Sequence, residues 1–141
     1  MQTATTFALI LLRVTGLIQL VLGVLFWSGN AQALIPVHMR IGFVLVLTLW
    51  TLAMLAARVG IAPGVVVLAV AWGALLPALG LTQSRLLPGD GHWLIQALHL
   101  LLGLSAIGQG EGLAARIASR VRVRGGARSP GPVNAPHARA G

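Results

Sequence analysis

The chain has 141 residues, of which 57% are hydrophobic and only 9% charged. A water-soluble domain carries about a quarter charged residues, so this chain cannot cover a soluble surface and lipid must be its solvent. It has no cysteine, which excludes disulfides, thiolate metal centres, iron–sulfur clusters and covalently attached haem. The net charge of +8 gathers after residue 115, in a tail and not in a nucleic-acid-binding domain, so no nucleic acid is expected as a partner.

A membrane-crossing helix needs about 20 predominantly apolar residues at 1.5 Å rise each. Residues 7–27, FALILLRVTGLIQLVLGVLFW, form the first such span, closed by Trp27 where an interfacial aromatic belongs. SGNAQALIP follows as a turn-rich connection, and Pro36 suits the first turn of the next helix. The second span covers 37–57 and ends at Arg58. After RVGIAP, Pro63 opens the third span, 64–81, whose outer half Pro77 is expected to kink. TQSRLLPGD leads to the fourth span, 91–110, with Asp90 as its N-cap. The expected fold is an all-α integral membrane protein, an up-down bundle of four transmembrane helices over residues 1–110.

Two further segments follow. In residues 111–124, Leu113, Ile117 and Val121 recur every four residues, as do Arg116, Arg120 and Arg124. Such a basic amphipathic helix suits an anionic lipid surface, and a positive stop-transfer anchor has the same pattern. Residues 125–141 are rich in Gly and Pro and are expected to be a disordered tail with His137 solvated. A rival reading joins Arg13, the first apolar run and AQA at 31–33 into a cleavable signal peptide. Gln19 and two glycines interrupt that run, so four spans are the preferred reading.

Arginine sets the expected orientation. Arg58 lies between the second and third spans, and Arg116, Arg120, Arg122, Arg124, Arg128 and Arg139 follow the fourth; the opposite connections offer Arg40 and Arg85, the latter near Asp90. The positive-inside rule then places a multi-pass protein in the inner (plasma) membrane with both termini cytoplasmic. His38 and His92 fall near the outer face.

The polar residues within the spans are spaced, not scattered. Along the fourth, His92, Gln96, His99, Gly103, Ala106 and Gly110 make one stripe of polar and small residues that should face protein. His38 and Gly42 make a shorter counterpart on the second span, and Arg13, Gly16, Leu20 and Gly23 lie along the first, with Gln19 beside them. Gly23 and Gly103 are expected at helix contacts.

HMRIG and HLLLG share the form His-x-x-x-Gly. An imidazole on each of two helices could ligate one iron, and glycine one turn later would leave room for a flat macrocycle. In this respect His38 and His99, with Gly42 and Gly103, resemble the ligand helices of small four-helix, bis-histidine membrane cytochromes b, of which a haem A synthase half is the nearest comparison. The resemblance covers two helices. It implies haem b held by His38 and His99 as metal ligands, with Arg40 and Arg85 close enough to neutralise propionates and His92 as the alternative ligand. The chain lacks a second, inner histidine pair and the cysteine pair of haem A synthase, so that enzyme's activity is not implied.

Helical register bears on the choice between the two histidines. An inner boundary near Gly110 makes His92 level with His38, whereas one near Arg116 makes His99 level and sends His92 to the interface; the second uses both His-x-x-x-Gly motifs. The bland alternative is packing, with Gln96 hydrogen-bonding His92 or His99. Binding of a bare metal by His38, His92 and His99 is a third option, with Asp90 as the one nearby carboxylate. Arg13 is expected about two turns inside the cytoplasmic boundary, snorkelling there or pairing with Glu111.

The chain holds two acidic residues, Asp90 and Glu111, expected on opposite sides of the membrane, so paired-carboxylate chemistry is excluded. No serine sits in a nucleophile elbow and no phosphate-binding glycine loop precedes a basic helix. No independent catalytic activity is expected. Two functions compete: a b-type haem electron-transfer protein or subunit, exchanging electrons with quinone or a membrane or periplasmic redox partner, and a cofactor-free four-helix protein, an accessory subunit of a larger complex or a DoxX-like protein. Either could assemble as an oligomer.

Overall fold

The computed structural model describes residues 1–126, so most of the Gly/Pro-rich tail, including His137, lies outside the described residues. Four helices hold nearly everything described: α1 (Gln2–Trp27), α2 (Ile35–Arg58), α3 (Pro63–Thr82) and α4 (His92–Gly126). Short 3-10 turns at Gln32–Leu34 and Gln83–Arg85 adjoin α2 and α3. The described residues contain no strand. All four helices are long and apolar enough to cross a membrane.

Glycine ends two of these helices for a definite reason. Gly60 has φ +78°, its N–H bonds Ala57 O at 3.0 Å, and the N–H of Ile61 bonds Ala56 O at 3.1 Å. That paired closure is a Schellman motif, which needs a left-handed residue just past the helix. Gly29 repeats it with φ +77°, as Asn30 N–H reaches back to Leu25 O at 2.9 Å. Pro36 and Pro63 stand in the first turns of α2 and α3, where no N–H is needed. Helix α3 continues through Pro77 to Thr82.

Successive helices pack as antiparallel neighbours, α4 closes the ring against α1, and α2 and α4 also meet across the middle. One end of the bundle therefore collects the start of α1, the α2–α3 turn and the end of α4, and can be called the arginine end. The other, with both longer connections, is the histidine end.

Burial is unequal along the bundle. Leu12, Leu49 and Leu52 are fully buried, and Leu113 and Ile117 are 1% exposed. No residue of α2 before Leu45, of α3 after Leu76, or of α4 before Leu102 is buried, and on α1 only Leu22 is buried beyond Gly16. The core thus fills the arginine-end half. Thr5, Thr15 and Thr48 are buried there, each donating its hydroxyl to the carbonyl four residues back in its own helix, at 3.1, 2.7 and 2.7 Å.

Helix α4 departs from the expected pair of segments. It runs unbroken for 35 residues, about 52 Å at 1.5 Å each. Leu113 and Ile117, the apolar face proposed for a lipid surface, are instead packed in the bundle core, and Val121 lies against it. The helix persists where its hydropathy falls because α1 continues beside it: Leu12 lies against Gly110, and a Cβ on Gly16 would stand 2.7 Å from Ile107.

The glycine contacts also differ from expectation. Nothing lies within 4 Å of a Cβ built on Gly23 or Gly103, so neither is a close-approach point. That role belongs to Gly16, Gly110 and Gly73, the last facing Trp50. Two tryptophans tie helices together: Trp50 Nε1 donates to Val70 O at 3.1 Å and Trp72 Nε1 to Leu102 O at 3.3 Å.

Candidate functional site

Near the histidine end, α2 carries His38 at the end of its first turn and α4 carries His99 two turns in. Their rings face each other across the bundle, with centroids 6.4 Å apart and planes inclined at 50°. Phe26 at the end of α1 sets its edge against His38, centroids 5.2 Å apart. From α3, Gly80 lets the His99 ring lie close, since a Cβ there would stand 3.1 Å from Cε1. All four helices contribute to this one level.

Both histidines are half-buried, yet Nδ1 of each is shut off from solvent with no hydrogen-bond partner. Gln19 Oε1 is in the same condition. Gln19 belongs to the same cluster, because its amide nitrogen would lie 2.8 Å from a Cβ on Gly42, one turn below His38 on the same face of α2. Among the described residues these three are the buried side-chain polar atoms left unpaired. Gln96 bonds neither histidine, so the packing arrangement that would have used it is not formed.

His92 stands apart. Its Nδ1 lies 3.2 Å from Leu86 O in the α3–α4 connection, an interfacial position. The level partner of His38 is His99. Arg40 follows His38 by two residues, about 200° around the helix, and is exposed on the other side of α2. Arg85 is exposed in the 3-10 turn after α3 and makes no ion pair; Asp90 likewise. No third histidine or carboxylate joins His38 and His99 among the described residues, which leaves no cluster for a bare metal ion.

Two imidazoles on opposite helices are the donor type that would hold a b-type haem iron. The nitrogen-bearing edge of the His99 ring lies along Gly80, with Cε1, Nε2 and Nδ1 at 3.1, 3.8 and 3.9 Å from a Cβ built there. The two His-x-x-x-Gly glycines differ in their surroundings. Gly103 faces open space, while Gly42 is covered by the Gln19 amide, which would have to swing away. A flat macrocycle beside both glycines would require the Gln19 side chain to move.

Gly80 and Gln19 are the members of the cluster that sequence spacing missed. Gln19 was visible as a polar residue beside the α1 stripe, but Gly80 has no local signal, since its value lies in a contact with α4. The ion pair of Arg13 and Glu111 is formed, through two hydrogen bonds of 2.6 and 2.8 Å.

Compared with known proteins, the chain matches no protein-family model, no curated protein and no solved structure.

Proposed function

We propose that the protein is a multi-pass inner-membrane protein that binds b-type haem between His38 and His99 and serves as an electron-transfer protein or subunit. The observation that carries this reading is the confrontation of two half-buried imidazoles, each with a water-excluded, unpartnered nitrogen, on helices that meet across the bundle. A buried polar atom without a partner costs about 1–3 kcal/mol, and ionisable side chains inside spans are costly and mark functional positions. His38 and His99 hold the ligand positions, Phe26 fixes the His38 ring and Gly80 admits the His99 ring. A bound haem supplies one-electron chemistry. Its place near one face would favour quinone or an external redox protein as partner.

The orientation rests on charge. The arginine end gathers Arg58, Arg116, Arg120, Arg122 and Arg124, against Arg40, Arg85 and the compensating Asp90 at the other. On the positive-inside rule the arginine end, with both termini, is cytoplasmic and the histidine pair lies toward the outer face. Reporter fusions at Val59 and Ser129 should read cytoplasmic and a fusion at Ser84 external; an external tail would overturn the assignment.

The deciding experiment is the visible spectrum of protein purified after expression with ample haem. A Soret band with low-spin character is expected. Its absence would favour the second reading, a cofactor-free accessory or DoxX-like protein, for which the closed apolar core of the arginine-end half speaks.

A further inference from the structure

The Arg13–Glu111 pair lies at the wrong depth to be an ordinary surface ion pair. Gly16 faces Leu45 of α2, 3.8 Å from its would-be Cβ, and Arg13 is one turn nearer the arginine end, level with Thr48. That is ten residues, about 15 Å, from Arg58, and Glu111 is five residues, about 7.5 Å, from Arg116, so the pair lies within the spans. Yet the pair is on the outside of the bundle, with side chains 58% and 38% exposed. Charged groups within spans face protein or water, because hydrocarbon leaves them unsolvated.

A second feature marks the same face. Helix α4 turns Ser105, Gly108, Gly112, Ala115 and Ser119 outward in steps of three and four, opposite its buried Ala106, Leu113 and Ile117. A Cβ on Gly108 or Gly112 would meet nothing within 4 Å, so these glycines serve no contact inside the bundle. Small residues at this spacing let another helix approach closely. Between the stripe and α1 runs a groove of about 270 Å³ that contains Arg13 and Glu111 and continues past Leu9 and Ala115.

We infer that the α1/α4 face is the interface of a homodimer, with α1 of each copy seated on the small-residue stripe of α4 in the other. The charge pattern selects a second copy as the occupant. A two-fold axis along the membrane normal, passing beside the pair, sets Arg13 opposite the Glu111 of the second copy and Glu111 opposite its Arg13. The four charges form an alternating ring that is neutral and closed to lipid. Any other partner would need its own matched charges at the same depth. The interface is isologous, as a two-fold dimer requires.

The test reads oligomeric state in lipid nanodiscs and in mild detergent, with helical circular dichroism as the folding control. The wild type should be dimeric. Gly112→Leu should raise the monomer–dimer dissociation constant about tenfold or more with the helices kept, since a Cβ there meets nothing in the monomer. Val67→Leu on the exposed face of α3 should leave the dimer intact. Arg13→Glu should give monomers, and Arg13→Glu combined with Glu111→Arg should restore the dimer. Because the chain has no cysteine, differently tagged copies carrying Thr6→Cys and Ala115→Cys should form one disulfide-linked heterodimer on oxidation. A monomeric wild type in nanodiscs, a dimer indifferent to both Gly112→Leu and Arg13→Glu, or Ala115→Cys cross-linking to a different protein would each overturn the inference.

Discussion

The two halves of this bundle use the same four helices to different ends. In the arginine-end half, Leu12, Leu49, Leu52, Leu113 and Ile117 interlock almost without exposure, and the buried threonines bond within their own helices. Those threonines ask nothing of neighbouring helices. The histidine-end half has no buried residue on α2 or α4, and it holds all three unpaired buried polar atoms. In hydrocarbon, where backbone groups are already satisfied, packing drives assembly and polar side chains are retained at a cost. One half therefore explains why the chain folds, and the other why it carries histidines.

The sharpest way to separate the halves is by spectrum. His38→Ala and His99→Ala should each abolish the low-spin haem signal, while Leu49→Ala should keep it and lower only stability. Retention of the signal in both histidine variants would remove haem from the histidine-end half. Loss with Leu49→Ala at a temperature where circular dichroism shows the helices intact would show that the two halves are not independent.

Truncation of the closed core comes next. Leu49 is fully buried and Leu113 nearly so, whereas Leu98 on the histidine-end part of α4 is 46% exposed. Lipid surrounds the unfolded helices too, so most of the water-transfer contribution drops out and lost packing contacts remain. Leu49→Ala or Leu113→Ala should still cost about 2 kcal/mol, the low end for a leucine truncation, and Leu98→Ala a few tenths at most. Denaturation in mixed detergent measures both. Equal costs would mean that the core is not confined to one half.

Glycine offers a comparison in which the sign changes. Gly110 lies directly against Leu12, which is fully buried and cannot retreat, so Gly110→Ala should destabilise by about 1–3 kcal/mol through overpacking. Gly103 is two stripe positions away and faces open space; there alanine should gain up to about 0.5–1 kcal/mol from helix propensity. Thermal melts of the two variants should move in opposite directions. A shared direction would place the two glycines in equivalent surroundings.

These particulars also show what could be read from sequence. The all-helical class, four apolar helices and the boundaries at Trp27, Pro36, Arg58 and Pro63 are written in local chemistry: hydropathy, proline in a first turn, glycine past a helix end. The continuity of α4 through Gly110 was not, because the segment is held by α1 and not by its own composition. The His38–His99 confrontation followed from helical rise once the inner boundary was set near Arg116. Gly16 already stood in the stripe of α1, but Gly73 and Gly80 as contact points did not follow, since a glycine's use depends on which large side chain another helix brings to it. Spacing put Gly103 in the inward stripe and could not tell that nothing would lie beside it.

His92 gives the smallest effect and the narrowest test. It shares a helix with His99 and stood as the alternative ligand, but its ring is turned to the carbonyl of Leu86 in the connection before α4. That bond fastens an exposed loop to the first turn of a helix, and a single neutral hydrogen bond contributes about 0.5–1.5 kcal/mol at most. His92→Ala should thus leave a haem spectrum nearly intact and lower stability by less than about 1 kcal/mol, with faster amide exchange confined to residues 86–92. His92→Gln, whose amide can still donate to the carbonyl, should recover part of that protection. If His92→Ala instead removed the haem while His99→Ala preserved it, the level of α4 against α2 would be wrong by two turns, and the pairing at the centre of the site with it.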